Sequence, residues 1–94
     1  MTNPFQIDTD ALWIDARQPE EYASGSVPQA INIPHDQLMS RLNEVDAEDD
    51  QMICVFCLGG KRAAMVKQAL EQDGYTNVIN LGGIQDALAH CEQE

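Results

Sequence analysis

A small parallel sheet of four to five strands with helices on both faces, an α/β domain, is the fold this sequence predicts. Three observations predict it. The run Met52-Ile53-Cys54-Val55-Phe56 is apolar at every position, as in a central strand covered on both faces. Short apolar runs alternate with helix-patterned segments along the chain, the signature of parallel strands joined by crossovers. The central run then delivers Cys57 to Leu58-Gly59-Gly60-Lys61-Arg62, a glycine-containing turn that opens a helix. The 94 residues are enough for one domain, 1–94, with one modest core.

Each element follows from local pattern. Leu12-Trp13-Ile14-Asp15 reads as a buried strand ending in an acid. Pro19-Glu20-Glu21-Tyr22-Ala23 opens with proline and acids, a helix's first turn, and Ser24-Gly25-Ser26 ends it. Ala30-Ile31-Asn32-Ile33 is a second strand, stopped by Pro34. Leu38, Met39 and Leu42 recur at helical spacing between Asp36 and Leu42, and the acidic stretch Glu44–Asp50 is a solvated connection. After Cys57 a helix places Ala63, Val66 and Leu70 on one stripe with Met65 and Ala69 flanking it, and Asp73-Gly74 caps its end. Val78-Ile79-Asn80 is a short fourth strand, and Gly82-Gly83 leads into a last helix carrying Ile84, Ala87 and Leu88. Trp13 and Tyr22 are core residues, and Tyr75 packs over the helix cap. Asp15, Cys57 and the loop at Gly82 fall on the carboxyl edge of the sheet, where such folds place their ligands.

A thiol at a strand-to-helix turn faces unpaired backbone N–H groups and the positive end of a helix dipole, here with Lys61 and Arg62 beside it. All favour the reactive thiolate. Cys54 and Cys57 have C-x-x-C spacing, but three residues along a strand span roughly 10 Å, too far for a disulfide. Cys54 is then a small core residue, and Cys91 sits in a polar tail without a role. His35 and His90 show no metal-ligand spacing with any cysteine or carboxylate, so no metal is expected.

Charge narrows the function classes. Sixteen acids against 5 basic residues give a net charge of -11, which disfavours nucleic acid and anionic membrane surfaces. Three of the 5 basic residues, Lys61, Arg62 and Lys67, follow Cys57 within ten positions, which points to an anion pocket in a repulsive body. No run approaches the length of a membrane span, and Met1-Thr2-Asn3-Pro4-Phe5 lacks a secretion signal. As written the chain reads as cytoplasmic, or as periplasmic if a signal peptide has been removed.

Trp-Ile-Asp-Ala-Arg (13–17), Pro-Glu-Glu-Tyr (19–22), Ala-Ile-Asn-Ile-Pro (30–34), Cys-Leu-Gly-Gly-Lys-Arg (57–62), Gly-Tyr (74–75) and Gly-Gly (82–83) together resemble a single-domain rhodanese. The motifs stand in order from about residue 12 to 88, and the chain is most similar to small bacterial thiosulfate sulfurtransferases of the phage-shock protein E type. The resemblance implies a loop of six residues, Cys57 to Arg62, headed by the catalytic cysteine. It implies transfer of a sulfane sulfur from thiosulfate or a similar donor to Cys57, and from the Cys57 persulfide to cyanide or a thiol. No cofactor is implied, and a monomer is expected.

In that reading the amides of Leu58, Gly59, Gly60, Lys61 and Arg62 cradle the terminal sulfur. Arg62 fixes the loop or binds the donor's sulfonate, and Lys61 adds positive potential at the rim. Asp15 and Arg17 hold the sheet edge and its loops by hydrogen bonds. Related phosphatases of the cell-cycle type have five residues between cysteine and arginine, whereas four separate Cys57 from Arg62, which suits one sulfur atom better than a phosphate. The chain departs from the family at Gly25-Ser26-Val27, where Gly-His-Ile is common, at Gln29, where glycine is common, and between Ile84 and Leu88, which lacks an aromatic. A persulfide carrier with little thiosulfate turnover is the alternative reading.

Overall fold

The side chains of strand β3 (Ile53–Cys57) alternate between two separate cores, and that alternation organises the molecule. In the computed structural model, which describes residues 7–91, β3 is buried at every position. Ile53, Val55 and Cys57 face one core and Cys54 and Phe56 the other. Strands β1 (Leu12–Asp15), β2 (Ile31–Asn32) and β4 (Val78–Gly83) complete a four-stranded sheet in the order β2-β1-β3-β4, parallel throughout.

Helix α2 (Lys61–Gln72) buries Ala63, Val66 and Leu70 against the first core, together with Leu38 and Val45. Helix α3 (Ile84–Cys91) buries Ile84 and Ala87 against the second, beside Trp13 and Leu81. Helices therefore cover both faces, as the apolar run in β3 requires. The short helix α1 (Pro19–Ala23) lies between β1 and β2 in sequence, with Glu21 accepting the Gln18 N–H at 2.9 Å across its first turn.

Several expected boundaries move. The second strand shortens to two residues because Ala30 closes a turn onto the Val27 carbonyl and Pro34 follows directly. Residues 36–42 form no α-helix; a 3-10 segment, Met39–Glu44, replaces it, with a kink at Arg41. Only Leu38 and Val45, with Leu42 partly, face the core there, whereas Met39 is 69% exposed. Side-chain bonds from Ser40 to the Gln37 carbonyl and from Arg41 to the Asn32 carbonyl tighten the turns further. Met65, expected to flank the buried stripe, is exposed on α2.

The acidic connection is solvated at most positions, though Val45 is buried within it and Asp49 accepts the Thr76 N–H at 2.9 Å. The end of α2 is as expected: Gly74 donates to the Glu71 carbonyl and Tyr75 to the Leu70 carbonyl, a Schellman cap that seats Tyr75 against the first core. The fourth strand runs past Asn80 to Gly83, with an irregularity at which Val55 pairs Asn80 while Phe56 pairs Gly82. That bulge re-aims the end of β4 at the turn following Cys57.

Candidate active site

Two registers set the carboxyl edge of the sheet: Asp15 lies opposite Phe56, and Cys57 opposite Gly83. The three positions expected on this edge are thus brought together. Cys57 ends β3 on the face that α2 covers, so its sulfur points under the first turn of that helix. The Gly60 N–H donates to Sγ at 3.0 Å and the Ala63 N–H at 3.4 Å. Burial pushes the thiol's pKa up, but bonding from the amides of Ala63, Gly60, Gly59 and Arg62 outweighs it, and the net shift is down. Ala63 lies beyond the six-residue loop read from sequence, yet its amide points at the sulfur.

The turn is held from several sides. Gly60 takes φ +103°, a conformation that costs a residue with a Cβ, so glycine is required there. A Cβ on Gly83 would collide with the Leu58 carbonyl, so the end of β4 can approach the loop only as glycine. Asn80 ties the two together: its Nδ2 donates to the Gly60 carbonyl at 3.0 Å, and its Oδ1 accepts the Gly82 N–H at 2.8 Å. Asp86 of α3 accepts the Gly83 N–H at 3.1 Å. The sequence offered no signal for Asn80 or Asp86, since their partners are backbone groups of other segments.

Arg62 does not extend freely into the mouth of the loop. Its Nη1 and Nη2 donate to the two oxygens of Glu21 at 2.8 and 3.1 Å, a two-point pair between α2 and α1. Arg62 and its Glu21 bond hold the Glu21 carboxyl down at about 2, with the Gln18 N–H contributing. The Arg62 guanidinium also lies within interaction range of the Cys57 sulfur. Lys61 is exposed at the first position of α2.

Asp15 and Arg17 form a fully built clamp at the far side of the edge. Asp15 is 0% exposed, and its carboxylate accepts the Arg17 N–H at 2.9 Å, the Arg17 Nη2 at 2.8 Å and the Ser26 hydroxyl at 2.7 Å. Arg17 Nη2 also reaches the Gly25 carbonyl at 2.7 Å, and Asn32 donates to the carbonyls of both Asp15 and Arg17. β1, β2 and the turn after α1 are pinned together, so Ser26 serves the clamp where the sequence departs from Gly-His-Ile. Removing one partner of such a buried pair costs about 3–5 kcal/mol.

Cys57 is only 1% exposed. The sulfur lies beneath the turn, whereas Leu58 and Gly59 of the turn itself are exposed. Cys54 points into the opposite core, where burial, and then Asp8, push its thiol up to about 12. The two cysteines face opposite sides of the sheet, so a disulfide between them is excluded in this fold. The side chain of Cys91, like residues 1–5 of the expected signal-free start, lies outside the described residues. Among the described residues no helix is long and apolar enough to cross a membrane.

A thiol at the carboxyl end of a central parallel strand, ringed by amides of the following turn and helix, is an arrangement that favours the thiolate. Residues 5–90 match the rhodanese-like domain family, and the chain belongs to that family. It is 36% identical over 74 residues to the thiosulfate sulfurtransferase PspE of Escherichia coli K12, covering 79% of this chain and 71% of that one. It is 31% identical over 90 residues to the putative sulfur carrier protein YrkF of Bacillus subtilis, covering 93% of this chain but 48% of that one. Among solved structures, a rhodanese with anions from E. coli superposes with a TM-score of 0.75 at 36% identity, covering 81% of this chain and 89% of that one.

Proposed function

We propose that the chain is a sulfurtransferase that moves a sulfane sulfur from thiosulfate, or a similar small anionic donor, through a Cys57 persulfide to cyanide or a thiol. The observation that carries this reading is the cradle: amides of Gly60 and Ala63 aimed at Sγ, and a thiol pKa below its ordinary value. The thiol therefore ionises more readily than an ordinary cysteine, and in this proposal no general base is needed.

The thiolate attacks the outer sulfur of thiosulfate. The S–S bond breaks, its electron pair leaves on sulfite, and Cys57 carries the extra sulfur as a persulfide anion. No proton moves and no outside electron is needed. The same amides that hold the thiolate hold the terminal sulfur. Attack by cyanide on that terminal sulfur releases thiocyanate and returns the thiolate, so the kinetics are ping-pong. Neither metal nor cofactor enters these steps, and one chain suffices for them.

Gly59, Gly60 and the Arg62 backbone shape the cradle in this proposal, Leu58 and Lys61 form its rim, and Asp15 with Arg17 keeps the sheet edge rigid beneath it. The burial of Cys57 and the likeness to a putative sulfur carrier favour one second reading. In it the loop accepts sulfur and passes it on with little steady-state thiosulfate turnover.

Intact-mass measurement after brief thiosulfate exposure, run beside a thiocyanate assay, tests both. The expected result is a gain of one sulfur on the native chain, lost in Cys57→Ala, together with thiocyanate formation that Cys57→Ala abolishes and Cys54→Ala keeps. Normal turnover by Cys57→Ala would overturn the proposal. A sulfur gain without turnover would select the carrier.

A further inference from the structure

We infer that Glu21 is a specificity-determining positioning residue: by holding the Arg62 guanidinium it cancels one of the two positive charges beside Cys57, and so biases the site towards sulfane donors with a single negative charge over the thiosulfate dianion. The inference rests on the sulfur-transfer reading above and sharpens its donor class.

The ion pairs of the molecule carry the argument. Of the 5 basic residues, Arg17 pairs with Asp15, Arg41 with Glu44, Lys67 with Glu71 and Arg62 with Glu21. Lys61 alone among the described basic residues has no carboxylate within ion-pair distance. The rim therefore presents one uncompensated cation, in a body of net charge -11.

The Arg62 pairing is fixed at both ends. Two guanidinium nitrogens meet two carboxylate oxygens, at 2.8 and 3.1 Å, and the Gln18 N–H holds Glu21 from behind at 2.9 Å. With its pKa held at about 2, Glu21 stays ionised wherever Cys57 is a thiolate. A donor entering the loop meets the full charge of Lys61 and an Arg62–Glu21 dipole. Long-range repulsion from the acidic body acts on a dianion about twice as strongly as on a monoanion.

Thiosulfate and an alkyl thiosulfonate isolate that charge difference, because both deliver the same sulfur. In each, Sγ bonds to the sulfane sulfur and the bond from that sulfur to the oxidised sulfur breaks. The electron pair leaves on sulfite in one case and on sulfinate in the other.

The test compares KM and kcat for thiosulfate and methanethiosulfonate in the native chain, in Glu21→Gln and in Glu21→Gln/Arg62→Gln, at low and high salt. Glutamine keeps an acceptor for the Gln18 N–H. Glu21→Gln is expected to lower KM for thiosulfate about fivefold and for methanethiosulfonate about twofold or less, a gap that closes in high salt. The pH midpoint of Cys57 alkylation by iodoacetamide is expected to fall as Arg62 is released. The double variant, with the native net charge, returns the donor ratio to within about twofold of the native value, and it carries the test if the single variant does not fold.

Parallel KM changes for the two donors with an unmoved alkylation midpoint would reduce Glu21 to an anchor and overturn the inference. So would a selective loss of thiosulfate in the double variant. If the native chain turns over neither donor, the sulfur-transfer reading fails instead. The alkylation midpoint then still decides the Glu21–Arg62 coupling: a fall supports it and no change overturns it.

Discussion

Cys54 and Cys57 share a strand and are both buried, at 0% and 1% exposure, yet their thiols shift in opposite directions. Burial raises both. Cys54 faces the second core, with no amide to answer that cost, and its pKa reaches about 12. Cys57 turns to the other side of the sheet, under the start of α2, where the amides of Gly60 and Ala63 point at it. Exposure therefore does not set the direction of the shift here. Parity along β3 decides which thiol meets a helix end, and the helix end turns the shift downwards.

The sharpest way to break that comparison is competitive labelling of a Cys91→Ser background with iodoacetamide at pH 7. Cys57 is expected to react about a thousandfold or more faster than Cys54, following their thiolate fractions. Equal rates would erase the distinction.

The next blow falls on the cradle itself. Gly83→Ala drives a methyl group into the Leu58 carbonyl, and the displaced turn is expected to lower kcat about a hundredfold while Cys54 stays silent to label. Unchanged kcat would show that the β4 contact does not position the loop.

Asn80→Ala is milder. It removes the bond to the Gly60 carbonyl and the acceptor of the Gly82 N–H, each worth about 1 kcal/mol, so turnover is expected to fall about five- to thirtyfold and the alkylation midpoint of Cys57 to rise.

The smallest effect is thermodynamic, and its sign differs between the two thiols. Cys54 has a higher pKa folded than unfolded, so its contribution is full below about 9 and is lost as pH climbs towards about 12. Cys57 has the lower pKa folded, so its contribution is present above the unfolded value and is lost as pH falls through the folded one. Urea midpoints should therefore show the gap between the native chain and Cys54→Ala narrowing as pH rises above 9, whereas the gap to Cys57→Ala widens as pH rises towards 9 and is flat beyond it.

Much of this was readable beforehand, for physical reasons. The apolar run in β3, the glycine turn and the Asp73-Gly74 cap are local signals, and local sterics and burial determine them. Asp15 and Arg17 were expected to hold the sheet edge by hydrogen bonds, but not to pair with each other and with Ser26. What escaped depends on distance or on the backbone. Glu21 meets Arg62 across 41 positions, and nothing near either residue announces the other. Ala63 acts through its amide, which every residue but proline possesses. Asn80 looks like an ordinary strand end until the bulge in β4 turns it towards Gly60. The helix expected at 36–42 failed because its apolar spacing was real but only a narrow edge found a partner.

The near-complete burial of Cys57 has a further consequence, for time rather than affinity. A sulfur parked at so buried a position is screened from bulky thiols and disulfides that would strip it from an open surface. In the proposed cycle the loaded form would therefore wait, idle and intact, until an acceptor slim enough reaches it.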